Sequence, residues 1–98
     1  MMDQHHEVLF QLAKEDGVAE VFKKILEECQ ELTTLINDFQ VTNKYPMMTF
    51  KRELTGEIAD VLITIHKLIV LFGLESVVDS MIEYKIQRTI YEKEHEDE

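Results

Sequence analysis

"GEIADVLITIHKLIVLFG", Gly56 to Gly73, is the stretch that decides the fold. Ile58, Val61, Leu62, Ile65, Leu68, Ile69 and Phe72 recur at steps of three and four, the spacing of one helix face. Gly73 supplies the stop, because glycine accepts the left-handed conformation that ends helices. Thr49 stands where it can cap the start. Ile63 and Val70 add apolar surface beyond the stripe. One short chain has too little core to cover all of it, which predicts a subunit interface on this helix.

The same period runs outward in both directions. A first helix is expected from about Asp3 to Glu15 through Val8, Leu9 and Leu12, ended by Asp16-Gly17. A second follows at once, with Val18, Val21, Phe22, Ile25, Cys29, Leu32, Ile36 and Phe39 on one face. The pattern dissolves in "QVTNKYPMM", where Asn43 and Pro46 mark a loop. After Gly73, a fourth helix from Glu75 to Tyr91 carries Val77, Val78, Met81, Ile82, Ile86 and Ile90. The expected fold is therefore all-α: one domain over residues 1–98, a four-helix bundle completed by oligomerisation as a homodimer or homotetramer. Residues 92–98, "EKEHEDE", are expected to form a disordered acidic tail.

The net charge of −10 argues against nucleic acid as a partner, since phosphate affinity comes from clustered Lys and Arg. Cys29 is the single cysteine, so no internal disulfide is possible, and its apolar surroundings predict a small buried thiol. The longest apolar run, "VLITIHKLIVLF", is too short to cross a bilayer and holds His66 and Lys67. No leader pattern is seen, so a cytoplasmic location without a membrane partner is expected.

The acids gather in two places, "EECQEL" at Glu27 to Leu32 and Glu53 to Asp60. At about 100° per residue, Glu28 and Glu31 share one flank of the second helix's apolar face, and Glu27 points further out. On the third helix, Glu57 and Asp60 share a flank, with Glu53 and Thr64 between them. Antiparallel packing across the loop would bring the two pairs together at the edge of the core. Four carboxylates there repel one another, so the arrangement asks for a metal or for protons, and oxygen-only donors suit Mg²⁺, with Mn²⁺ as a substitute. The competing reading is solvated helix faces, with pairs such as Lys23 to Glu27 and Lys24 to Glu28, and with Lys51 and Arg52 available on the third helix.

Glu27-Glu28-Cys29-Gln30-Glu31 has the form EExxE, and Glu57-Ile58-Ala59-Asp60 the form ExxD. With "KKILEECQEL", "GEIADVLITIHKLIVLFG" and "EYKIQR" in that order, the chain from Gly17 to Tyr91 resembles the MazG-type all-α nucleoside triphosphate pyrophosphohydrolases. The resemblance implies Mg²⁺-dependent cleavage between the α and β phosphates, giving the monophosphate and pyrophosphate. It implies Glu28, Glu31, Glu57 and Asp60 as metal ligands and catalytic residues, with Glu27 and Glu53 in support. Mg²⁺ would neutralise the triphosphate and activate a water for attack. Two features depart from the family. Gly56 stands where many relatives carry an acid, and the fourth helix offers Lys85 and Arg88 as phosphate contacts without the Asn that often accompanies them.

Two alternatives remain open in the sequence. Phosphoribosyl-ATP pyrophosphohydrolase has a similar third helix, and a non-catalytic, metal-binding helical bundle would need the same carboxylates. Among the other residues, Glu92 and His95 form an ExxH pair expected to be surface, His66 is expected at an interface or half-buried, and His5 and His6 exposed. Phe10, Phe39, Tyr45 and Phe50 either stack on a base or close the core at helix ends.

Overall fold

Few helix breakers and a persistent three-four period give helices almost throughout. The structure is a computed structural model that describes residues 3–42 and 45–96. A 3₁₀ turn, Asp3–His5, leads into α1 (His6–Asp16), followed by α2 (Val18–Thr42), α3 (Met47–Phe72) and α4 (Glu75–Glu94). No strand occurs among the described residues, so the all-α expectation holds. Asn43, expected in the loop, lies outside them, as do Asp97 and Glu98 of the expected tail.

Two helix ends differ from the sequence reading. α3 begins at Met47 with Pro46 as its cap residue, ahead of Thr49, and the Phe50 N–H donates to the Pro46 carbonyl at 2.9 Å. Proline suits that place because its fixed φ costs nothing there and no donor is lost. α4 runs to Glu94, so residues 92–94, expected in the acidic tail, are helical. Arg88 pairs with Glu92 across one turn, and the His95 ring stacks on Tyr91 at 3.9 Å, which extends the helix to its end.

α3 packs between α1 and α2. Leu9, Ala13, Val21 and Val70 form the buried apolar core, with Thr64 buried beside them. Among the half-buried and buried positions, one series on α2 is Val21, Ile25, Glu28, Leu32, Leu35 and Phe39, and one on α3 is Phe50, Leu54, Glu57, Val61, Thr64, Leu68 and Leu71, while Thr49, His66, Lys67, Ile69 and Val70 of α3 and Glu20 and Glu27 of α2 are covered beside them. Both series alternate steps of three and four without a break, the spacing of a coiled-coil seam. Phe39 and Phe50 stack at 3.9 Å where the seam meets the loop, so these two rings close the core.

That seam is rotated from the stripe read in the sequence. Ile58, Leu62, Ile65 and Phe72 were expected in the core, yet they are 37% to 50% exposed. Cys29 was expected to be buried and is exposed, with Phe22 and Ile36 on the same side of α2. The reason is geometric: each long helix has more apolar width than its neighbour can cover, and the partner takes the strip that keeps strict seam spacing.

Two glycines set the chain's corners. Gly17, between α1 and α2, has φ 85° and ψ 160°, a region that only glycine occupies freely. Its missing Cβ would meet nothing within 4 Å, so the constraint is backbone strain alone. Gly17→Ala should therefore cost about 1–3 kcal/mol in urea unfolding while leaving the helix content unchanged. An unchanged midpoint would show that the corner relaxes freely.

α4 leaves the three-helix body. It has no buried residue, and it touches the rest only near the end of α3 and through His6, 3.8 Å from Glu75. The radius of gyration is 16.9 Å, where a compact chain of this size has about 13 Å.

Candidate metal centre

Seam positions are apolar almost throughout, which makes Glu28 on α2 and Glu57 on α3 the exceptions that define the site. Carboxylate oxygens of Glu28, Glu31 and Glu57 lie within 4.8 Å of one another. One oxygen of Glu28 and one of Glu57, each Oε2, are buried without a hydrogen-bond partner. A buried carboxylate oxygen left unpaired is costly, and a proton or a cation can satisfy this donor set. The residues therefore fit a hard divalent ion.

Burial is the main force raising the Glu28 carboxyl above its ordinary pKa, followed by the charges of Glu31 and Asp60. The same causes raise Glu57, in the same order. A carboxyl raised in the folded chain holds its proton there more tightly than in the unfolded chain. The stability linked to that proton is full below the ordinary value of 4.5 and is lost as pH rises through the raised values. Metal-free protein should therefore melt higher as pH falls from neutral towards about 5, and saturating Mg²⁺ should flatten that dependence. Calorimetry across this window with EDTA and with Mg²⁺ checks it; parallel curves would contradict a cation at these groups.

The expected residues divide into four groups. Glu28, Glu31 and Glu57 come together. Asp60 is exposed and lines an adjoining cleft with Glu28, Asp16, Glu20 and Lys24, where Lys67 binds Asp16 at 3.2 Å. It acts on the cluster through its charge and does not complete the close group. Glu27 and Glu53 line the outer cleft together with Glu31 and Glu57. Glu27 is held outward by Lys23 at 4.0 Å and Lys24 at 3.7 Å. So the Lys23 to Glu27 pair occurs, whereas Lys24 turns to Glu27 in place of Glu28. Lys85 and Arg88 lie on α4, away from the carboxylates within one chain, and Arg88 sits 5.8 Å over the Tyr84 ring.

The outer cleft, an open space of about 540 Å³, includes residues that the sequence reading missed. Gln30, Thr34 and Asp38 line it from α2, and Tyr45 closes it from the loop. The Tyr45 hydroxyl donates to Glu53, and this bond is the main reason its phenol holds its proton above the ordinary range. Asp38 follows Glu31 by seven residues, two helical turns, so the signal was present in the spacing. His66 is half-buried with Nε2 unpartnered, its ring edge-on to His6 at 6.3 Å. His95 Nδ1 donates to the Tyr91 carbonyl at 2.8 Å, and Glu92 is exposed, which leaves the ExxH pair on the surface.

Among the described residues no helix is long and apolar enough to cross a membrane. The chain matches no protein-family model, and no curated protein or solved structure gives a significant match to it.

Proposed function

We propose that this protein is a Mg²⁺-dependent nucleoside triphosphate pyrophosphohydrolase that works as a homodimer or homotetramer in the cytoplasm. The observation that carries the reading is the convergence of Glu28, Glu31 and Glu57, with two buried carboxylate oxygens lacking any partner. Such a group is poor structural material, because two carboxylates in a helical seam with a third beside them oppose folding. A hydrolase acting on a polyphosphate has a use for it.

Glu28, Glu31 and Glu57 would hold Mg²⁺, or Mn²⁺, with Asp60 adding negative charge beside them. Bound there, the ion supplies charge neutralisation of the triphosphate and acidification of the attacking water. Glu27, neutralised by its two lysines, keeps the cleft's outer wall from adding further repulsion. Tyr45 and Glu53 hold each other at the opposite wall, and the stacked Phe39 and Phe50 seal the cleft's end from the seam. Lys85 and Arg88 meet the phosphates only if a neighbouring copy brings α4 to this cleft.

Incubation with Mg²⁺ and a nucleotide panel should release pyrophosphate and monophosphate in equal amounts. Orthophosphate release would overturn the assigned bond. Turnover of phosphoribosyl-ATP alone would narrow the substrate to that compound. If no nucleotide is cleaved while Mg²⁺ still binds, the carboxylates serve a non-catalytic metal-binding bundle.

A further inference from the structure

α4 is 20 residues long and buries none of them. Val77, Met81, Ile82, Ile86 and Ile90 are 45% to 58% exposed. An isolated helix of this kind gains little stability in water, since most helical stability in proteins comes from packing an apolar face. Its direction is fixed by the turn before it. Gly73 is left-handed at φ 65° and ψ 39°; its N–H donates to the Val70 carbonyl at 3.3 Å, and the Leu74 N–H donates to Ile69 at 2.9 Å. This pair of bonds closes the end of α3 and holds α4 away from the body of its own chain.

The body has a surface of matching character. Between the start of the chain and α3 runs an open groove of about 730 Å³, lined by Val8, Leu9, Ile58, Ala59, Leu62 and Ile63. Its polar lining among the described residues is Gln4, His5 and Thr55, none of them an acid, a lysine or an arginine. We infer that a second copy fills this groove: α4 of each chain seats between α1 and α3 of the other, in a reciprocal twofold exchange. The inference rests on the self-association in the proposed function and not on the hydrolase chemistry.

Three features favour a second copy. Val78, Ile82, Ile86 and Ile90 repeat every fourth residue and form a ridge of the kind that packs into the groove beside an equivalent ridge, here Ile58 and Leu62. Between the exposed apolar chains of α1, α3 and α4, on the order of 1,000 Å² is open per chain, where a stable interface buries about 800 Å² per partner. The groove, uncharged among its described lining residues, suits apolar side chains such as Ile82, Ile86 and Ile90. Because each copy carries −10, association should strengthen as salt screens the repulsion.

The test uses the full chain with Cys29→Ser, since Cys29 is exposed and would cross-link on its own. One batch carries Leu62→Cys and another Ile86→Cys. The mixture, oxidised, should give a covalent heterodimer faster than either batch gives a homodimer, and sedimentation equilibrium of the parent chain should show a dimer or a multiple of one. Ile86→Asp should weaken association on the order of a hundredfold. Helix content by circular dichroism shows whether that variant still folds, and the cross-link carries the test if it does not. A monomer overturns both the exchange and the self-association. A dimer that joins Leu62 to Leu62, without the Ile86 cross-link, overturns the exchange and leaves self-association standing. A cross-link within a single chain carrying both cysteines, at high dilution, means that α4 folds back and overturns the exchange.

Discussion

Glu57→Gln should raise the melting temperature of the metal-free protein and, in the same molecule, abolish the Mg²⁺-induced rise and at least about 99% of turnover. The two effects have opposite signs, and that makes the variant informative. Glu57 occupies a seam position, its Oε2 is buried without a partner, and burial and the neighbouring acids hold its pKa up. Glutamine keeps the shape, removes the charge and adds an amide that can donate to Glu28 or Glu31, both in its group. A substitution that merely damaged the fold would lower the melting temperature and activity together. Scanning calorimetry with EDTA and with Mg²⁺, beside a pyrophosphate assay, reads all three outcomes. An unchanged Mg²⁺ shift would remove Glu57 from the ligand set. Glu28→Gln should behave alike, and the double variant should gain less than the sum, because each single change relieves the same repulsion.

Val21→Asp should leave the chain largely unfolded, and Val21→Ala should cost about 2–3 kcal/mol. Val21 is 1% exposed and is the largest side chain to be fully buried. It sits on α2 one turn past the Gly17 corner, seven residues before Glu28 on the same seam. Alanine removes two methyl groups and leaves a void; aspartate also buries a charge with no cation near its place in the core. With only four apolar residues buried among those described, the protomer has little stability to lose. Urea unfolding followed by circular dichroism measures both variants. If Val21→Ala costs less than 1 kcal/mol, α2 is held mainly by its outer face, in contacts with another copy.

The helices were legible because their signals are local. Few glycines and prolines, apolar spacing of three and four, and Gly73 as a stop together fix an all-α chain, and α4 starts where its sequence says. The ends were less so: Pro46 displaced Thr49 as the start of α3, since a proline ring settles the first turn without any side-chain hydrogen bond. The acids were legible as a pair of clusters, and Glu28, Glu31 and Glu57 do meet. Their burial was not. The wheel placed Glu28 and Glu57 on the flanks of apolar stripes, but both occupy the seam itself, where their charge is costly. Asp60, equal to them in the motif, stays exposed beside the cluster.

Sequence alone therefore determined four helices, their order, and the two acidic segments whose approach makes a candidate centre, because backbone geometry converts residue spacing directly into a shared face. Only the tertiary structure decided which part of each broad apolar face is used inside one chain. α2 and α3 are apolar over more than one side, and spacing cannot rank equivalent strips; the seam goes to the strip where both helices interlock over their full length from Phe39 and Phe50 to Val21 and Leu68. That choice half-buries Glu28 and Glu57 and leaves Ile58, Leu62, Ile65 and Phe72, part of the stripe that first defined the fold, exposed.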